Sequence, residues 1–341
     1  MNIRRRTVGP ALAAVLLAIV VAVLAGCGSP AGGELPAGNG QGSSGQPNAA
    51  SAAARSAVPV GSTASEPGAH PASQPSTAPA TGQVPLGVFT PAEATSWAAM
   101  AAFGQQAGQA VRYVVAYLGP SNPFPQQLGQ EAADNGAEMV LQLEPTMSMA
   151  QVAAGDYDGY LDSLATAVCD YDYPVILSWA PEANGNWYQW GAPQTPVADY
   201  RAAWAHVMSQ FRQCHNVTWM DTINRTYTGA APTSEYVIPG VSMYGLDAYY
   251  EFANDTFNSV IGTTLAQIRA VTNKPVMISE TGIGPVAGQT RSLPGLIQGA
   301  RADHLAGLIY FDVNQGNTSP IHQDWALTSA SMQLLRDGLA R

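Results

Sequence analysis

Two glutamates, Glu182 and Glu280, are the residues of this 341-residue chain best suited to acid–base chemistry. Glu182 lies in "SWAPEANGNWYQWG", where one acid follows an apolar run and precedes amides and aromatic rings. Glu280 lies in "ISETGIG", which also follows an apolar run. A pair of carboxyl groups can cleave a glycosidic bond, because one protonates the leaving oxygen while the other attacks the anomeric carbon. The two positions therefore predict a double displacement with retention, in which Glu182 is the acid/base and Glu280 the nucleophile.

The neighbours of the two glutamates suit these different tasks. A general acid must hold its proton near neutral pH, so it needs an apolar surrounding that disfavours the charged form. The aromatic loop that follows Glu182 would provide this. A nucleophile must stay ionised and needs hydrogen-bond donors, and Tyr249 in "YGLDAYY" could donate one to Glu280.

The residues after Glu182 also suit the recognition of a sugar. Sugar rings stack on aromatic side chains through their C–H faces, while their hydroxyl groups pair with amides and carboxylates. Trp187, Trp190 and Asn184 are predicted to bind substrate in this way, although either tryptophan could instead pack at a rim. Glu144 and Asp247 either contact substrate or orient loops by hydrogen bonds.

Eight apolar runs alternate with helical stretches, and they must position these residues. Near-continuous apolar runs are typical of parallel strands buried on both faces. The alternation predicts an α/β fold, a (β/α)₈ TIM barrel over residues 84–341, whose functional residues lie where strands end. A doubly wound open sheet is the alternative, but the first turn lacks its glycine-rich phosphate loop. The predicted strands are Val84–Thr90, Val111–Leu118, Ala137–Glu144, Tyr173–Ala180, Val217–Thr222, Val241–Tyr249, Lys274–Glu280 and Gly307–Val313, and predicted helices include Ala198–Cys214, Phe257–Val271 and Trp325–Leu339.

The first 83 residues are predicted to lie outside this domain. Three arginines precede an apolar run that ends in "LAGC", which is similar to a bacterial lipobox and makes residues 1–27 a lipoprotein signal peptide with Cys27 as the lipidated residue. An uncleaved transmembrane anchor is the alternative. Residues 28–83 are rich in Ala, Gly, Ser and Pro and lack aromatic residues, which predicts a disordered tether. The domain is expected to be extracytoplasmic, lipid-anchored to the cell membrane or secreted.

Cysteine count and charge restrict the remaining possibilities. Cys169 and Cys214 form an even pair, which in an oxidising compartment suggests a disulfide, with two free buried thiols as the alternative. The net charge is −10, and Lys274 is the sole lysine. Such a chain is a poor candidate for binding nucleic acid, so a neutral polysaccharide is the expected partner. The histidines lack ligand-like spacing, so neither metal nor cofactor is expected, and we expect a monomer.

Four segments resemble glycoside hydrolase family 26, a family typified by β-mannanases. They are "PEANGNWYQWG", "NVTWMDTIN", "YVIPGVSMYGLDAYY" and "ISETGIG". The resemblance implies a (β/α)₈ barrel, a retaining mechanism, Glu182 as acid/base and Glu280 as nucleophile. It also implies that Trp187 lines the subsite of the cleaved sugar and that Tyr249 hydrogen-bonds the nucleophile.

The chain also departs from the family pattern. Pro181 stands where the family usually has histidine, Ala183 replaces a methionine, and Tyr310 and Phe311 occupy the region of a usual tryptophan. The leading hypothesis is an endo-β-glycosidase acting on β-1,4-mannan, then xylan or mixed β-glucan. A surface carbohydrate-binding lipoprotein with weak or silent catalysis, and a structural envelope lipoprotein, are the alternatives.

Overall fold

Eight parallel strands close into a barrel in strict sequence order. The computed structural model describes residues 82–90, 97–227, 230–284, 286–314 and 324–341. The strands are β1 Leu86–Phe89, β2 Val111–Leu118, β3 Glu138–Leu143, β4 Val175–Trp179, β5 Val217–Asn224, β6 Met243–Asp247, β7 Val276–Thr281 and β8 Leu308–Phe311. β1 pairs with β8 and completes the barrel. The predicted (β/α)₈ fold is confirmed, and each strand lies at the apolar run that predicted it.

Helices follow the strands and cover the outside of the barrel. They are α1 Trp97–Ala107, α2 Gln126–Asp134, α3 Met149–Ala154, α4 Asp158–Tyr171, α5 Val197–Gln210, α6 Thr233–Tyr236, α7 Thr263–Val271, α8 Val286–Ala302 and α9 Ser329–Leu339. A π-helical turn, Asn258–Gly262, precedes α7. The last helix begins later than predicted, because the side chain of Thr328 accepts a hydrogen bond from the amide of Ser331 and caps it there.

The signal peptide, Cys27 and nearly all of the predicted tether lie outside the described residues. Within the described part of the chain, no helix has the length and the apolar character needed to cross a bilayer.

Alternate residues of each strand point into the barrel, as the two-residue period of a strand requires. One apolar cluster fills the interior; it includes Val115, Val140, Ile176, Met220 and Met277. A second, larger cluster packs the outer faces of the strands against the helices. The polar residues that continue the inward-facing positions therefore emerge together at the carboxyl ends of the strands.

A β-bulge interrupts this alternation in β7. Gly245 pairs with Met277 and Asp247 pairs with Glu280, so β7 has one residue more than β6 over this distance. A bulge lets consecutive side chains face the same side of a sheet. Ser279 donates a 2.6 Å hydrogen bond to Asp247, and the next residue, Glu280, is also turned towards the end of β6. The bulge thus places Glu280 in the barrel mouth.

Cys169 and Cys214 form a disulfide, with Cα atoms 4.7 Å apart. Cys169 lies in α4 and Cys214 follows α5, so the bond joins two neighbouring helices at the end of the barrel opposite Glu182 and Glu280. This pairing agrees with the prediction from cysteine count and compartment.

Removal of this disulfide is expected to destabilise the fold. The bond closes a loop of 45 residues, and the chain-entropy relation for a loop of this length gives about 4 kcal/mol. The double variant Cys169→Ser, Cys214→Ser should lose about this much free energy of unfolding, measured by urea denaturation against the oxidised wild type. Activity at low urea should be retained, because the bond lies far from the mouth. Equal unfolding midpoints would contradict the expectation.

Candidate active site

Glu182 lies in the loop that follows β4, two residues after Ala180. Both have positive φ angles, 46° at Ala180 and 58° at Glu182. A residue with a side chain rarely adopts this left-handed conformation, which costs free energy. The amide of Glu182 donates a 2.9 Å hydrogen bond to the carbonyl of Thr222 on β5, which holds the turn against the barrel. The turn directs the carboxyl group back over the strand ends.

The carboxyl group of Glu182 is buried, with 5 % of the residue exposed, and two side chains donate to it. The indole Nε1 of Trp187 lies 3.0 Å from Oε2, and the amide of Asn224 donates to Oε1. Burial, reinforced by the charge of Glu280, raises the pKa of Glu182 to about 8, while the two donors oppose this rise. Glu182 therefore holds its proton at neutral pH, as a general acid must.

Glu280 is held by the phenol group of Tyr249 instead. The hydroxyl of Tyr249 donates to Oε1, which is the hydrogen bond predicted from the sequence. Burial raises the pKa of Glu280, while the hydroxyl groups of Tyr249 and Tyr117 lower it. Arg225, a possible ion-pair partner, instead pairs with Glu251 at 2.9 Å. The neutral hydroxyl groups thus oppose the effect of burial and favour the ionised form of Glu280.

The electrostatic effects distinguish the roles of the two glutamates. The charge of Glu280 contributes to the raised pKa of Glu182, which requires that Glu280 ionises first. Over the pH range between the two ionisations, the pair therefore consists of a protonated Glu182 and an ionised Glu280. One proton donor and one nucleophile in one mouth is the arrangement that a retaining glycosidase needs.

Two further acids, Glu144 and Asp247, lie in the same mouth. Burial and the charge of Glu280 raise the pKa of Glu144 to about 7. The same two causes raise the pKa of Asp247 well above its usual range, opposed by the hydrogen bond from Ser279. The four carboxyl groups, predicted from separate strand ends, are thus brought together. Among the described residues, no group of three or more His, Cys, Asp or Glu side chains is arranged to hold a metal ion.

Asn184 and Trp190 occupy supporting positions rather than a ligand surface. Asn184 is buried; its Nδ2 donates to the carbonyl of Asn224 and its Oδ1 accepts from the amide of Asn224, both at 2.9 Å. Trp190 is stacked on Tyr188 at 4.1 Å and donates to the carbonyl of Pro181 at 2.8 Å. The placement does not support the prediction that these two side chains bind substrate; they fix the loop that carries Glu182 and the strand end that carries Asn224.

Trp187, by contrast, remains half-buried beside the acid. Its ring packs on Tyr227 at 5.8 Å, and the hydroxyl of Tyr227 donates to Asn186 at 3.4 Å. Gly185 makes this position possible, because a Cβ there would lie 2.4 Å from the ring of Trp187. Trp187 and Tyr227 therefore form an aromatic wall on the Glu182 side of the mouth.

Sequence reasoning missed the roles of Asn224, Tyr117 and Trp325. Asn224 is the last residue of β5, but its contact with Glu182 depends on how the loop after β4 meets that strand end. Tyr117 is the inward-facing residue nearest the end of β2, and this alternation was the available signal. Trp325 is buried against Tyr249 at 4.7 Å, and it lies before α9 instead of inside it as predicted.

The buried acids are expected to make the fold less stable as pH rises. Burial raises the pKa of Glu144 and of Asp221 to about 7, and burial with the charge of Glu280 raises that of Glu182 to about 8. The folded state then binds more protons than the unfolded state, so stability falls between the unfolded value of about 4.5 and pH 8. Thermal unfolding should show a higher Tm at pH 5.5 than at pH 8.

The variant Glu182→Gln cannot ionise at this position and serves as the matched control. The fall in its Tm between pH 5.5 and pH 8 should be smaller than that of the wild type. A Tm that rises with pH over this interval would show that the carboxyl groups are not buried in this way.

The central part of the chain is similar to a known protein family. Residues 132–288 match the model described as Glycosyl hydrolase family 26. A curated relative, Endoglucanase H of Acetivibrio thermocellus, is 25 % identical over 46 % of this chain. The match spans 19 % of the length of that relative.

Solved structures share the fold at low sequence identity. The Cellulomonas fimi endo-beta-1,4-mannanase double mutant is 15 % identical and covers 76 % of this chain and 70 % of its own, with a TM-score of 0.57. The catalytic domain of the Bacillus sp. JAMB-750 GH26 endo-beta-1,4-mannanase is also 15 % identical and covers 76 % of this chain and 86 % of its own, with a TM-score of 0.56. At this identity the likeness concerns the barrel alone. The part of the chain that carries Glu182 and Glu280 is thus similar to glycosyl hydrolase family 26, whose model it matches over residues 132–288.

Proposed function

We propose that the protein is a retaining endo-β-glycosidase that hydrolyses a β-linked polysaccharide by double displacement. The single observation that carries the proposal is that a buried Glu182, whose pKa burial raises to about 8, shares the mouth with Glu280, which accepts a hydrogen bond from Tyr249. The family match over residues 132–288 supports the same reaction class.

In the first step Glu280 attacks the anomeric carbon of the bound sugar, and the bond from that carbon to the leaving oxygen breaks. Glu182 gives its proton to the leaving oxygen, so the leaving chain departs as a neutral alcohol. A glycosyl ester of Glu280 remains, and Glu182 is now ionised. The donors Trp187 and Asn224 stabilise that charge, because both already hydrogen-bond to its oxygens.

In the second step Glu182 acts as a base. It takes a proton from a water molecule, the water oxygen bonds to the anomeric carbon, and the bond to Glu280 breaks. The product has the same anomeric configuration as the substrate, Glu280 is again a carboxylate, and Glu182 again holds a proton.

The charges of the mouth favour a neutral substrate. Glu144, Glu182, Asp247 and Glu280 lie close together, and in the described part of the chain no lysine or arginine forms an ion pair with them. An acidic polysaccharide would bring further negative charge to this site. We propose β-1,4-mannan as the first substrate, because two of the proteins that share the fold are endo-β-1,4-mannanases, followed by xylan and mixed β-glucan. The name of the matched endoglucanase keeps β-glucan in the set.

A panel of neutral and acidic β-linked polysaccharides, assayed for reducing ends, tests the proposal. We expect release from a neutral polymer, with the β-anomer appearing first in the NMR spectrum of the products. Release of the α-anomer first would contradict the retaining mechanism. Binding of a polysaccharide without release of reducing ends would instead support a carbohydrate-binding lipoprotein, the alternative raised by Pro181.

The hydrogen bond from Asn224 is expected to set the upper pH limit of activity. Asn224 lowers the pKa of Glu182, so its loss should raise that pKa and leave the acid protonated to higher pH. In Asn224→Ala the alkaline limb of the kcat/KM profile should therefore move to higher pH, although the rate at the optimum falls.

Asn135→Ala, an exposed residue after α2 at the opposite end of the barrel, is the matched control and should leave the profile unchanged. An alkaline limb that moves to lower pH in Asn224→Ala would contradict the assignment of Glu182 as the acid.

We also propose that the domain is held outside the cytoplasm by lipid on Cys27. The charged and apolar segments before "LAGC" support this arrangement. In a bacterial host, Cys27→Ser should abolish incorporation of labelled fatty acid into the protein. Incorporation that persists in this variant would contradict the proposal.

A further inference from the structure

Tyr117 carries a buried hydroxyl group without a hydrogen-bond partner. Tyr117 is the penultimate residue of β2, and 7 % of its surface is exposed. Its ring packs edge-on against Phe89 at 5.0 Å, which fixes the direction of the ring. The hydroxyl oxygen is shielded from solvent and makes no hydrogen bond in the state described. A buried polar group in this condition costs free energy unless it serves a purpose.

Tyr117 lies in the same interior cluster as Tyr249, the donor to Glu280. Phe89, against which Tyr117 packs, stacks on Phe311 at 4.9 Å, and Phe311 packs edge-on against Tyr249 at 6.0 Å. Burial, then the charges of Glu280 and Asp247, and further that of Glu144, raise the pKa of Tyr117 well above its usual range. The phenol therefore keeps its proton at any pH at which the enzyme works and can act only as a neutral donor. Of the three acids, Glu280 has the strongest influence on it, and the hydroxyl in turn lowers the pKa of Glu280.

We propose that Tyr117 is a positioning residue of the nucleophile, whose hydroxyl group donates a second hydrogen bond to the ionised carboxylate of Glu280. The bond completes a clamp with Tyr249, which donates from the end of β6. This inference rests on the proposed function, because it assigns to Tyr117 a part in the attack by Glu280.

Two phenol donors from different strands would restrict the orientation of the carboxylate more than one donor does. Tyr249 alone leaves the carboxylate free to rotate about the bond that joins it to its side chain, whereas a second donor fixes the plane of the carboxylate. Donation to an ionised acceptor is stronger than donation to a neutral one. When Glu280 becomes an ester, its negative charge disappears and both hydrogen bonds weaken. They become strong again in the second step, when the carboxylate of Glu280 leaves the sugar.

The test compares Tyr117→Phe with Tyr113→Phe. Tyr113 lies on the same face of β2 at the other end of the barrel, where its hydroxyl donates to the carbonyl of Ala306 at 3.1 Å. The wild type and both variants are labelled with ¹³C at the glutamate carboxyl carbon and titrated by NMR. The resonance of Glu280 is assigned by its loss in Glu280→Gln. This measurement needs no catalytic activity, so it distinguishes failure of this inference from failure of the proposed function.

In Tyr117→Phe we expect Glu280 to titrate at higher pH than in the wild type. We also expect kcat to fall about tenfold, the loss of one hydrogen bond to a charged group, and the acidic limb of the kcat/KM profile to move to higher pH. The fold should remain intact, because the variant keeps the aromatic ring and its packing against Phe89. Tyr113→Phe should leave both the titration and the profile unchanged.

An unchanged titration of Glu280 in Tyr117→Phe would overturn the proposal, and so would a shift of equal size in Tyr113→Phe. If the hydroxyl of Tyr117 were merely unpaired and had no function, Tyr117→Phe would raise the Tm and keep full activity. We expect activity to fall instead.

Discussion

Glu280→Ala is expected to lower the rate of polysaccharide hydrolysis by at least about 10⁴-fold, because it removes the group that forms the covalent intermediate. Glu280 is turned into the mouth by the bulge in β7 and held there by Tyr249. Alanine leaves a space but no buried charge, so the fold should remain intact. Reducing-end assays measure the rate, and thermal unfolding reports on the fold.

Glu138→Gln is the matched control for this variant. Glu138 begins β3 at the opposite end of the barrel and pairs with Arg112 at 2.8 Å. Its loss should leave hydrolysis within about twofold of the wild type, because this ion pair lies at the opposite end of the barrel and includes none of the carboxyl groups of the mouth. Turnover by Glu280→Ala that equals that of this control would exclude Glu280 as the nucleophile.

Glu182→Ala is expected to lose about 10² to 10⁴-fold in hydrolysis of the polysaccharide, the range of general acid catalysis. The loss should depend on the leaving group. An aryl glycoside with an acidic phenol needs no proton to depart, so its first step should be nearly unaffected and the glycosyl-enzyme should accumulate. Mass spectrometry would then find the sugar on Glu280.

Azide provides the decisive control for Glu182. A small anion can enter the space left by the side chain and attack the ester without a base, which yields a β-glycosyl azide and restores turnover. A fall in rate that is the same for the aryl glycoside and the polysaccharide, without rescue by azide, would show that Glu182 is not the acid/base. The two variants together separate the two chemical steps.

The strands and the two glutamates were predictable because their signals are local. Eight apolar runs of strand length predict buried parallel strands, and acids that follow such runs predict a site at the carboxyl ends. The meeting of Glu182 and Glu280 in one mouth could be predicted without knowing the distance between them, because closure of the barrel brings all the strand ends together. The start of α9 was missed, because Trp325 continues an apolar pattern whereas the cap at Thr328 determines where the helix begins.

The support of the site was not predictable to the same degree. Asn184 and Trp190 resemble sugar ligands by type, but loop packing turns them towards backbone groups. Asn224 reaches Glu182 only because the loop after β4 crosses the end of β5. The bulge in β7 depends on a one-residue mismatch between strands that have no sequence marker for it. Contacts between distant segments decide all of these, and a single sequence shows none of them directly.

The backbone at Glu182 has a consequence for how this chain would change if its activity were no longer needed. A left-handed residue is accommodated more easily by glycine or asparagine, and a buried acid is unfavourable for folding. Both effects disfavour a glutamate at this position on grounds of stability alone. In a barrel that served only as a scaffold, mutation would be expected to replace Glu182 with a residue that destabilises the fold less. A screen for variants with a higher Tm should therefore recover substitutions of Glu182, and those variants should be inactive.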